Sequence, residues 1–150
     1  MASLLQPSDR AALTARLQRL RPDTPGQWGR LTAPGMVAHV TSSLRMMTGD
    51  LPVVPAPTPW LVRHAPVRHL LIYALPFPKG LPTSPELLPA PEQREWADAL
   101  RAFDAALNTI GTRPSAGPWP HHPAFGAMSG REWGVLQYRH LSHHFRQFGV

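Results

Sequence analysis

The sequence predicts an all-α fold: a four-helix bundle with a proline-rich middle connection, forming one domain over residues 1–150. Three observations carry this. Apolar residues recur at three- and four-residue spacing in four stretches, start and stop signals bracket those stretches, and no β-type alternation is strong enough to claim a sheet. A chain of 150 residues is the usual size of one domain and can bury a proper core.

The first helix is read over Ser8 to Leu20, opened by a capping-type Ser8 and carrying Ala12, Leu13, Leu17 and Leu20 on one stripe. Pro22 disfavours helical backbone in the residue before it, so the helix ends by Arg21, and Pro25-Gly26 reinforces the break. A second helix starts near Thr32, whose hydroxyl can cap while Pro34 fits the first turn. Met36, Val37, Val40, Leu44 and Met47 form its apolar stripe, His39 lies within it, and Gly49 ends it. Leu61 to Leu75 is apolar with Arg63, His64, Arg68 and His69 interleaved, and Pro66 interrupts it, which predicts a short or kinked helix.

Pro91-Glu92 is read as opening the next helix, where Trp96, Leu100, Phe103 and Leu107 repeat before Gly111. The last helix has the sharpest start: Ser129 and Glu132 have capping-box spacing, and the helix runs to about Gln147 before Gly149. Trp96, Phe103, Trp133 and Phe145 fall at helical positions and are expected in the core.

The formal charge is +6, from 15 basic and 9 acidic residues. A nucleic-acid surface would need arginines clustered on one face with stacking aromatics, whereas here they are scattered. The densest group, Arg10, Arg16, Arg19, Arg21 and Arg30, reads as the solvated face of the first helix and the turn after it. Nucleic acid is therefore not an expected partner. No apolar run approaches the roughly 20 residues that span a bilayer, and Met1 to Leu20 carries charges where a signal peptide would be apolar, so a soluble cytoplasmic protein is expected. The 19 prolines are dense from Leu51 to Pro91 and from Pro114 to Pro123, which marks connectors.

With no cysteine, a tightly bound transition metal must be held by histidine or carboxylate, and the eight histidines become candidates. His140 and His144 are four residues apart, so their rings stand on one helix face and can converge on one ion. His143 is turned about 100° from His144 but could pair with His140 at i, i+3, so spacing alone does not choose between them. His39, mid-helix between Val37 and Val40, is the candidate third ligand. Three imidazoles with one position left open is a catalytic zinc arrangement, and imidazole also suits nickel, iron or copper. Taken singly, His39 is more often a core histidine than a ligand, and His121 and His122 read as solvated loop residues before Pro123.

The tail His140-Leu141-Ser142-His143-His144-Phe145-Arg146-Gln147 resembles the closing motif of the DinB/YfiT-like metalloenzyme superfamily: a histidine, a second four positions on, and a glutamine three beyond that. Trp28-Gly29-Arg30-Leu31 and the helix bearing Met36 and His39 resemble that superfamily's metal-bearing second helix. His122-Pro123-Ala124-Phe125-Gly126, with Glu132-Trp133-Gly134 and Tyr138-Arg139-His140, is similar to a branch of domains of unknown function. The resemblance implies a four-helix bundle, often a homodimer, with zinc or nickel held by His39, His140 and His144. It favours His144 over His143, which then reads as a flanking or surface residue.

Characterised members of the superfamily include transferases and isomerases that use low-molecular-weight thiols. The implied activity is thus a metal-dependent thiol S-transferase or hydrolase in which the cation lowers the pKa of a thiol or water. His122, Arg139, His143, Arg146 and Gln147 are candidates to bind substrate or orient a ligand. The alternative is a non-catalytic metal-binding stress-response module. No acid is obviously placed as a general base, since Glu132 is explained by the capping box.

Overall fold

A computed structural model describes residues 1–55, 57–77, 83–88 and 95–150. Among them the chain is all-helical, with five α-helices and no strand beyond an isolated antiparallel bridge between His122 and Gly126.

Helix α1 spans Pro7–Leu17. Its cap is Gln6, in extended backbone and without a side-chain capping bond, and not Ser8: Pro7 at the first helical position is already preset in φ. Asp9 in the first turn accepts from the Ser3 backbone N–H at 2.8 Å. The helix closes at Leu17, earlier than Leu20, although Leu20 is still buried in the turn that follows; Ala12 is exposed. Two of the arginines assigned to a solvated face turn inward. Arg10 donates to the Leu4 carbonyl at 2.7 Å, and Arg16 donates to Ser142 Oγ and to the Val150 carbonyl while its guanidinium lies 5.3 Å from the Phe145 ring. Arg19, Arg21 and Arg30 are exposed.

Helix α2, Ala33–Thr48, follows its sequence signals closely. Thr32 Oγ1 accepts from Gly35 N–H, Pro34 sits in the first turn, and Gly49 leaves the helix at φ 88°, the left-handed region that glycine enters without Cβ cost. Met36, Val37, Val40, Leu44 and Met47 are all fully buried. The Leu61 to Leu75 stretch is broken as expected, into a 3-10 turn Trp60–Arg63, helix α3 Ala65–His69 and a π-helical turn Leu70–Ala74. Pro66 does not interrupt that helix but occupies its first turn; the break falls at His64, whose backbone is extended.

Helix α4 spans Trp96–Thr112 with Phe103 and Leu107 buried and Trp96 and Leu100 half-buried; it runs through Gly111, and the expected opening at Pro91-Glu92 lies outside the described residues. Helix α5 spans Gly130–Gln147 behind a complete capping box, Ser129 with Glu132. The Glu132 carboxylate also takes Arg68 Nε at 2.9 Å and His69 Nε2 at 3.3 Å, so the α5 cap anchors α3.

Helix α2 packs on α4 and α5, α1 on α4 and α5, and the π-helical turn on α5. Buried Trp133, Phe103, Phe145, Met36, Leu44 and Leu141 fill the space between them. This packing brings the middle of α2 against the C-terminal half of α5, which is where the histidines meet.

Candidate metal centre

His39 is buried on α2, while His140 and His144, one turn apart on α5, are half-buried. Their Nε2 atoms face one another: His39 to His140 at 3.2 Å and His140 to His144 at 3.1 Å. One ligating atom from each ring lies within 4.8 Å of the others, so these three histidines could hold a metal ion.

The opposite edge of every ring is tied down. His39 Nδ1 donates to the Leu87 carbonyl at 2.9 Å, which can only accept. His144 Nδ1 donates to Gln147 Oε1 at 2.9 Å, and Gln147 is itself oriented because its Nε2 donates to the Trp28 carbonyl at 2.6 Å. Gly29 makes room for that contact: at φ 78° it sits where a Cβ would stand 2.6 Å from Gln147 Nε2. His140 Nδ1 meets Ser43 Oγ at 3.0 Å, and the Ser43 hydroxyl spends its own proton on Gln137 Oε1 at 2.6 Å, leaving its oxygen to accept. All three rings are therefore protonated at Nδ1 and aim an Nε2 lone pair at a common centre.

Burial pushes all three below the ordinary imidazole value of 6.5: His144 to about 4, His140 well below it, and His39 in the same direction. The charges His144, His39, His143 and His122 would carry act on His140 in the same direction, while the bonds to Leu87 and Gln147 partly oppose the shifts of His39 and His144. Neutral rings with lone pairs facing at 3.1–3.2 Å have no proton to share between them. A cation resolves that repulsion, and the spacing suits one, since two nitrogens bound at about 2.05 Å to a tetrahedral zinc stand about 3.3 Å apart.

The remaining candidates lie around this centre in different ways. Gln147 touches His144 directly. His143 is half-buried, its ring 5.9 Å from Trp28, 5.9 Å from Phe77 and 5.2 Å from His144, and it does not belong to the converging set. Arg139 donates to the Leu71, Ile72 and Leu75 carbonyls. Arg146 is exposed. His122 packs 5.0 Å from Trp133 and 4.8 Å from Phe125, and its Nδ1 accepts from the Ala124 and Phe125 backbone N–H groups.

Three contributors escaped the sequence reading. Ser43 is four residues after His39 and Gln137 three before His140, so helical spacing could have placed both on the metal-facing sides. The Leu87 carbonyl, supplied by a short 3-10 turn Pro85–Leu87 in the proline-rich connection, carries no side-chain signal. Compared with known proteins, the chain matches no family model, no curated protein and no solved structure.

Proposed function

We propose that this protein is a metal-dependent enzyme in which His39, His140 and His144 hold one divalent cation, zinc or nickel, and a small thiol or water is the nucleophile. The observation that carries the reading is the shared contact pattern: each ring sets its Nδ1 against an oxygen of the protein, which leaves the Nε2 lone pair for the centre. With three neutral ligands the cation keeps its full charge, and so lowers the pKa of a thiol or water bound beside it. The protein's part is to hold the rings in register. Gln147 and Ser43 fix two of them, and the Leu87 carbonyl draws the proline-rich connection onto the third.

The four-helix DinB/YfiT-like bundle, thiol S-transfer and a homodimeric assembly all belong to this proposal and rest on the resemblance of the α2 and α5 motifs. A second reading, a non-catalytic metal-binding stress-response module, draws on one observation. The hydrogen-bond partners of the three rings among the described residues are all neutral, and the Glu132 carboxylate is committed to Ser129 and Arg68. Metal analysis of tag-free protein tests the shared premise: one equivalent of zinc or nickel is expected, and its loss from His140→Ala and His144→Ala. Equal metal content in all three proteins ends both readings. A turnover screen pairing small thiols with electrophiles then separates enzyme from module.

A further inference from the structure

We infer that Phe77 is the residue that selects ligands at this centre, and that Arg139 is the positioning residue that puts it there; the inference rests on the metal-binding reading above. Arg139 precedes His140 by one residue on α5, so its side chain leaves the helix about 100° away from the ligand face. It spends its guanidinium on the Leu71, Ile72 and Leu75 carbonyls, at the end of the π-helical turn. Carbonyls at a helix C-terminus have no partner within the helix, and a single fork-shaped cation can satisfy several at once. The bond to Leu75 fixes the chain two residues before Phe77.

Phe77 then lands beside the His140 ring. Its ring lies 5.8 Å from His140 with the planes only 26° apart, 5.9 Å from His143, and 5.9 Å from the Arg139 guanidinium. The half-buried Phe77 thus walls one side of the His140 ligand with an aromatic face, and the Trp28 ring against His143 extends that wall. Single π-helical turns recur at functional sites, and this one leads directly into that wall. A compact hydrophilic thiol gains nothing from such a surface. A donor atom carried on a flat aromatic body can lie on it, so, taken with the thiol nucleophile proposed above, the ligand class assigned to the centre is an aryl thiol or a thiol bearing a planar group.

The test uses cobalt-loaded full-length protein, with thiophenol and 2-mercaptoethanol titrated separately against the visible absorption of the bound ion. Phe77→Ala is expected to keep its metal content, to bind thiophenol about tenfold more weakly, and to bind 2-mercaptoethanol unchanged, which is the scale of one lost aromatic contact. Phe77→Trp should restore the preference. Arg139→Met should keep the metal, lose the same selectivity, and show faster amide hydrogen exchange across residues 70–77. Equal effects of Phe77→Ala on the two thiols, or none, overturn Phe77 as the selector. Unchanged selectivity in Arg139→Met overturns its positioning role. Failure of the unaltered protein to take up cobalt is a different result, and it sinks the metal reading together with this inference.

Discussion

Two histidine environments in this molecule share a pKa of about 4 and differ in what they can do. His144 and His122 are both pushed down chiefly by burial. At His144 the Nδ1 faces an oxygen acceptor, so the proton sits there and Nε2 is a lone pair. At His122 the Nδ1 faces two backbone N–H donors, so the lone pair is consumed by the loop and the proton is driven to Nε2. One ring could ligate a metal, and the other packs in a tight turn against Trp133. Burial and low basicity do not make a ligand; the identity of the partner on the far nitrogen does.

The largest effect should separate the two directly. His39→Ala is expected to weaken zinc binding by more than about 100-fold, since loss of a ligand exceeds the 10- to 100-fold typical of an outer partner. His122→Ala should leave zinc affinity within a few-fold, measured by competition with a chromophoric chelator. A comparable loss in both variants would place His122 in the ligand set and break the distinction.

Next comes the far nitrogen itself. Gln147→Ala removes the acceptor at His144 Nδ1, and about a tenfold loss of zinc affinity is expected. Gly29→Ala should move in the same direction, because its Cβ would fall on Gln147 Nε2 and its backbone would be strained at φ 78°. If both variants bind zinc as tightly as the unaltered protein, tautomer control is not what makes the site.

A pH experiment sharpens the His122 side. Its folded pKa of about 4 lies below the unfolded value of 6.5, so its neutral-ring stabilisation is complete above pH 6.5 and is lost as pH falls through about 4. His122→Asn keeps an acceptor for the two N–H groups and removes the titration. Its deficit in metal-free urea unfolding at pH 7 should therefore shrink at pH 4.5, by about 2–3 kcal/mol. A deficit that is constant with pH would mean the ring is not held neutral.

The smallest effect sets the baseline away from both rings. Ser129→Ala removes the α5 cap and should cost about 1 kcal/mol of stability with zinc affinity unchanged.

Helices α2 and α5 were the most legible elements, because each carries its own boundary chemistry: Thr32, Pro34 and Gly49 for one, Ser129 and Glu132 for the other. The first helix was harder. Ser8 has the right chemistry for a cap, but Pro7 allows the helix to begin one residue sooner. Pro66 misled for a related reason, since a proline that breaks a helix interior is welcome in a first turn, and sequence does not say which turn it is in. The histidines were legible as types and spacings. Only their partners, Ser43 on α2, Leu87 in the connection and Gln147 on α5, distinguish a ligand from a core residue.

The sequence by itself determined the helical character of the chain, the ends of α2 and α5, and the placing of His140 above His144 on one face, because these follow from local periodicity and capping. The tertiary structure decided that His39 meets that pair, that three Nε2 lone pairs converge, and that His122 is turned to a different purpose. Those outcomes depend on which oxygen or N–H group lies beside each ring. The Leu87 carbonyl beside His39 and the Ser43 hydroxyl beside His140 come from distant parts of the chain, and no local spacing brings them to those rings.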